Sequence, residues 1–177
     1  MILVTGFGPF PGVTDNPTAA LARSLDGSRI DGVLVRAAVL EVEFAGLSKR
    51  LKELESAHKP DLVLGMGVSG LAEKPTLELR GVNQVGKNVD AAGVLPASLG
   101  EGPAELAVTL QYRAFLKALG GVSSTNAGRY VCNAWLYTAL RDLRTPALFL
   151  HVPRTGMALP LLRQGLEAWW RETRSGQ

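Results

Sequence analysis

Four runs of the chain are apolar at nearly every position: MILVTGF, GVLVRAAVL, PDLVLGMG and PALFLHVP. They lack the every-other-residue polarity of a strand with one wet face. Short runs of this kind read as strands buried on both sides, and a sheet made of them needs helices above and below. The segments after the first two runs supply such helices. NPTAALARSLDG has Asn16 at an N-cap position, Pro17 at N1 and Gly27 just past the end. EFAGLSKRLKELESAH sets Phe44, Leu47, Leu51 and Leu54 on one stripe. Strand alternating with helix predicts an α/β fold. The expected architecture is an α/β/α sandwich of three layers, with a mostly parallel, twisted sheet and helices on both faces, as a single domain over residues 1–177.

The middle of the chain reads differently. TLELRGVN alternates with period two, putting Glu78 and Arg80 on one strand face and Leu77 and Leu79 on the other. KNVDAAGVLPASLGEGP is rich in Gly, Pro and Ala and predicts a hairpin or long loop over one end of the sheet. Alternation then resumes, with helices expected at PAELAVTLQYRAFLKALG, NAWLYTALRDL and LPLLRQGLEAWWRETR. In sheets of this type chemistry gathers at the carboxyl ends of the strands and at the helix N-termini that follow.

Composition removes several classes of function. The net charge is +3, but Lys49, Arg50 and Lys52 lie among Glu53 and Glu55, and no basic stripe is interleaved with aromatics. Nucleic acid is therefore not an expected partner. One Cys and two His at unrelated positions make no zinc spacing, so no metal or other cofactor is expected. No apolar run approaches the ~18 to 20 residues of a membrane span. The N-terminus lacks a basic segment and a small-residue cleavage site, so no signal peptide is read. A lone cysteine fits a reducing cytoplasm. Apolar loop residues such as Val94 and Leu95 point to self-association as a dimer or tetramer.

Cys132 is the sole cysteine and begins an apolar stripe of helical period through Trp135, Leu136, Ala139, Leu140 and Leu143. A lone cysteine is often a buried core residue. At a helix N-terminus, however, unpaired N–H groups and the macrodipole favour a thiolate, and the same groups can hold an oxyanion. His151 sits near the end of PALFLHVP, whereas His58 closes a charged amphipathic helix, where a cation is unremarkable. If a Cys/His pair exists, His151 is its base. A third group should orient the imidazole. Glu78 is one candidate, although a solvated ion pair with Arg80 explains its pattern equally well, and spacing alone does not join Glu78 to His151.

Two glycine-rich runs resemble known phosphate-binding patterns. GFGPFPG lacks the Gly-Lys-Ser/Thr of a phosphate loop. GMGVSG, from Gly65 to Gly70, fits G-x-G-x-x-G after a strand, with Asp90 further on. A dinucleotide site needs a helix directly after it. The following LAEKPTLELR contains Pro75 and a period-two strand, so a nucleotide-binding module is only the alternative reading.

Taken together, LVTGFGPFPG with NPT, ELRGVN, AGRYVCNAWLY and LFLHVP resemble, in this order, the blocks of the type I pyroglutamyl peptidases, a family of cysteine peptidases. The resemblance covers nearly the whole chain. It implies an α/β/α sandwich, a Cys132–His151–Glu78 triad, no metal or cofactor, and removal of an N-terminal pyroglutamyl residue from peptides. It also implies substrate contacts at Phe7, Phe10, Asn16, Met66, Tyr130 and Val131, with Phe7 and Phe10 against the lactam ring. Two positions depart from the family pattern. Met66 stands where a glutamine is frequent, and Asn88 where an arginine is usual, with Lys87 beside it; these departures make a family member of altered or lost activity, acting as another small amidase, a further alternative.

Overall fold

All six residues of β1 (Ile2–Phe7) are buried, including the polar Thr5. The structure is a computed structural model and describes residues 1–175; Gly176 and Gln177 lie outside the described residues. After β1 come α1 (Pro17–Leu25), β2 (Arg29–Ile30), β3 (Val33–Leu40), α2 (Leu47–His58), β4 (Leu62–Ser69), β5 (Thr76–Glu78) and β6 (Arg80–Val82). The chain continues through β7 (Glu105–Ala107), α3 (Arg113–Ala118), β8 (Val122–Ser124), α4 (Val131–Asp142), β9 (Ala147–Pro153) and α5 (Leu159–Ser175). The main sheet has seven strands in the order β2-β3-β1-β4-β9-β5-β8. β3, β1, β4 and β9 run parallel, while β5 runs antiparallel to β9.

Side-chain alternation along these strands feeds two cores. Ile2, Val4, Leu64, Leu148 and Leu150 join Leu21, Leu162, Leu166 and Trp169 on the face covered by α1 and α5. Leu3, Val63, Ala147 and Phe149 join Leu51, Leu54, Trp135 and Leu136 on the face covered by α2 and α4. Each such leucine or phenylalanine, fully buried, stabilises the fold by about 1.5–3 kcal/mol. The expected three-layer sandwich with a mostly parallel sheet is what forms.

Three local expectations need correction. PAELAVTLQYRAFLKALG is helical only over α3; its first part forms β7, antiparallel to β6. Leu106, Val108 and Leu110 alternate with Glu105, Ala107 and Thr109, a period-two signal, and β6 offers an edge for it to pair with. TLELRGVN is not one strand, because β5 lies in the main sheet and β6 in the separate ribbon with β7. Glu78 and Arg80 therefore share no face. Glu78 is buried, and Arg80 turns outward to Glu105 at 3.0 Å. Phe44 falls outside α2, whose start is set by Gly46 at φ 72°, a left-handed conformation that suits glycine.

Candidate active site

Cys132 is the second residue of α4, on the helix face turned toward the sheet. No side chain caps this helix at Tyr130, so its first-turn N–H groups keep their capacity to bind a negative centre. Asn133 fixes the position of that terminus. Its buried amide donates to the carbonyls of Val82 and Gln84 at 2.9 and 3.2 Å, and its Oδ1 accepts from the Val82 N–H at 2.9 Å. Gly81 lets β6 lie directly on α4, since a Cβ there would stand 2.6 Å from the Tyr137 nitrogen.

The room for the thiol comes from β4. Gly65 and Gly67 point to the α4 face, and Met66 to the other. A Cβ on Gly67 would meet the Cys132 sulfur at 2.6 Å, and one on Gly65 would meet Trp135 and Phe149 at 2.7 Å. The glycines of GMGVSG thus serve close packing within a strand. The next element after β4 is β5 and not a helix, so the nucleotide-loop geometry is not formed.

His151 comes from β9, on the same face as Phe149 and Ala147. Its backbone pairs with Gly67 on one side and with Thr76 on the other. The antiparallel register of β5 places Glu78 opposite Phe149, diagonal to His151 and on the same face. Glu78 Oε1 lies 2.8 Å from His151 Nδ1, the Glu78 side chain is buried, and its Oε2 has no hydrogen-bond partner. Phe149 sets its ring edge-on to the imidazole, 5.3 Å between centroids. Burial alone would lower the His151 pKa. The charge and hydrogen bond of Cys132, with those of Glu78, outweigh it and raise the value to about 10. The imidazole is therefore held as imidazolium between two acidic partners.

These groups open into a cleft of about 640 Å³. Phe10 and Tyr130 line it beside Cys132, their ring centroids 6.3 Å apart, and Phe44 packs edge-on against Tyr130 at 5.8 Å. Burial, followed by the nearby Asp90 and Cys132, pushes the Tyr130 hydroxyl above its ordinary pKa, so it stays a neutral donor, here to the Val89 carbonyl. Asp90 is a site-supporting residue whose role sequence reasoning missed. Burial would raise its pKa, but N–H bonds from Phe44, Val94 and Ala92 hold the carboxyl below its usual range and clip the long loop beside Phe44. Its signal was an acidic residue followed by Gly and small residues, the pattern of a side-chain-capped turn.

The remaining expected contacts lie elsewhere. Phe7 and Val131 are buried in the core beneath the cleft, and Met66 is buried on the opposite face of the sheet. Asn16 caps α1, accepting from the Thr18 N–H and donating to the Gly8 carbonyl. None of these four lines the cleft, whereas Asn88 does and Lys87 does not. A larger groove of about 980 Å³ between α2 and α4 contains none of the three triad candidates. Chemistry and cavity size point to different places, and the pairing of acid, base and thiol decides for the smaller one.

The profile of the pyroglutamyl peptidase family matches residues 1–161. The chain belongs to this family. The pyrrolidone-carboxylate peptidase of Thermococcus kodakarensis is 35% identical over 191 residues, covering 94% of this chain and 92% of the relative. Mouse pyroglutamyl-peptidase 1 is 31% identical over 166 residues, covering 88% and 79%. Among solved structures, the pyrrolidone carboxyl peptidase of Thermus thermophilus superposes with TM-score 0.82 at 30% identity, covering 96% of this chain and 98% of that one. Pyroglutamyl peptidase I of Bacillus amyloliquefaciens, at 23% identity and TM-score 0.85 over 94% and 91%, shares the fold. This pyroglutamyl-peptidase chain is thus a cysteine-peptidase hydrolase by descent. No helix among its described residues is long and apolar enough to cross a membrane.

Proposed function

We propose that this chain hydrolyses the amide bond after an N-terminal pyroglutamyl residue of peptides, with Cys132 as nucleophile. The observation that carries the reading is the Glu78–His151 bond at 2.8 Å beside the helix-terminal Cys132, in a member of this family. In the resting pair the thiol proton already sits on His151, and the Cys132 thiolate attacks the pyroglutamyl carbonyl. First-turn N–H groups of α4 stabilise the oxyanion. The imidazolium gives its proton to the leaving amine, and water, activated by the imidazole so formed, then releases pyroglutamate from the thioester. Glu78 holds the Nδ1 proton and stabilises the charged ring. The flat, uncharged lactam suits Phe10 and Tyr130, where a free ammonium would lie unpaired.

Hydrolysis of a chromogenic pyroglutamyl amide before and after thiol alkylation tests this. Thiol-dependent cleavage, with negligible cleavage of the matching prolyl amide, is expected; equal rates on both would remove the substrate assignment. A single cysteine suits a reducing cytoplasm. Val94 and Leu95, 43% and 45% exposed, offer a surface for self-association, which the elution volume in size-exclusion chromatography tests.

A further inference from the structure

The connection from β4 to β5 takes an indirect path. β9 lies between these strands in the sheet, so residues 70–75 cross the carboxyl end of β9 before Thr76 pairs with His151. This path carries Leu71 to the rim of the cleft, where its side chain is 96% exposed. A leucine fully in water and packed on nothing is unremarkable on an open surface. Its place on the cleft rim gives it an occupant.

The strand order β1-β4-β9-β5 divides the cleft about Cys132. Phe10 arrives from the β1 side, and His151 and Glu78 lie on the other. A pyroglutamyl ring held against Phe10 and Tyr130 turns its departing amine toward His151, which protonates it. The next residue of the peptide then passes across the end of β9, where Leu71 and Ala72 stand. Apart from Glu78 and the Cys132–His151 pair, no residue lining the cleft carries a charge.

Resting on the activity proposed above, we infer that Leu71 forms the leaving-side subsite and that the enzyme favours peptides whose second residue is large, apolar and uncharged. An apolar contact of this size discriminates by roughly tenfold or more. The test compares kcat/KM for pyroglutamyl-leucine, -glycine, -glutamate and -lysine amides, using the wild type, Leu71→Ser and Leu71→Met. The wild type is expected to prefer leucine over glycine by about tenfold, and over the charged residues by at least as much. Leu71→Ser should shrink the leucine-to-glycine ratio to about twofold without lowering Tm, and Leu71→Met should keep most of it. Equal rates across the wild-type series, or a full ratio retained in Leu71→Ser, overturns the inference while leaving the activity standing. Failure to cleave any pyroglutamyl amide overturns both.

Discussion

At the residue scale, the geometry turns on three groups and one glycine. Cys132→Ser changes one atom at a partly exposed helix terminus, so the expected outcome is loss of turnover with Tm nearly unchanged; retained activity would return Cys132 to core packing. The raised His151 pKa gives a pH profile. Imidazolium persists until the pH nears about 10, so the alkaline limb of kcat/KM should lie toward that value and far above 6.5. The same shift acts on stability. The folded state holds a proton that the unfolded chain releases above about pH 6.5. This contribution is whole below that pH and fades as pH rises through about 10. Glu78→Gln removes one of the acidic partners, so the limb should move down and kcat fall while remaining detectable; an unmoved limb would separate Glu78 from the base. Gly67→Ala puts a methyl 2.6 Å from the resting sulfur. The same methyl stands 2.9 Å from the buried Phe149 ring, so we expect a fall in kcat of more than tenfold together with an overpacking cost of about 1–3 kcal/mol in stability.

At the element scale, α4 delivers the proposed nucleophile, and β9 and β5 deliver its proposed base and that base's partner. Asn133→Ala leaves the Val82 N–H and carbonyl unpaired under α4, a cost of about 1–3 kcal/mol. Thermal melting should show that loss, and kcat should fall with it because the proposed mechanism places both the thiol and the oxyanion N–H groups at this helix terminus. How much of this was legible follows from where the information lies. β1, β4 and β9 were readable because a strand buried on both faces must be apolar throughout, and β3, only half-buried along most of its length, was readable from its apolar run alone. Cys132 and His151 were readable as a helix start and a strand end. The Glu78–His151 contact was not, because it depends on the register of β5 against β9, which no local pattern encodes. β7 was hidden by a helix-like composition, although its period-two alternation was present. Asp90 was visible only as a spacing from Gly70, when its work is to bind three backbone N–H groups of its own loop and Phe44.

At the scale of the whole molecule, the parallel strands bring their carboxyl ends to one rim, and the cleft forms there between the Phe10 loop, the start of α4 and the β4–β5 connection. Cys132 packs against the core on the α2 and α4 face, at the edge of the cleft. The two cores hold the rim, and the shared fold with the Thermus and Bacillus enzymes shows that this frame tolerates wide sequence change. The central claim is that a covalent pyroglutamyl thioester forms on Cys132. The most direct measurement is the mass of the Cys132-containing peptide after acid quenching during turnover of an activated pyroglutamyl ester, whose fast acylation leaves deacylation rate-limiting so that the acyl-enzyme accumulates. The account predicts that this peptide gains one pyroglutamyl acyl group, lost again on further incubation and absent in Cys132→Ala. Turnover with an unmodified Cys132, and equal turnover in Cys132→Ala, would contradict it.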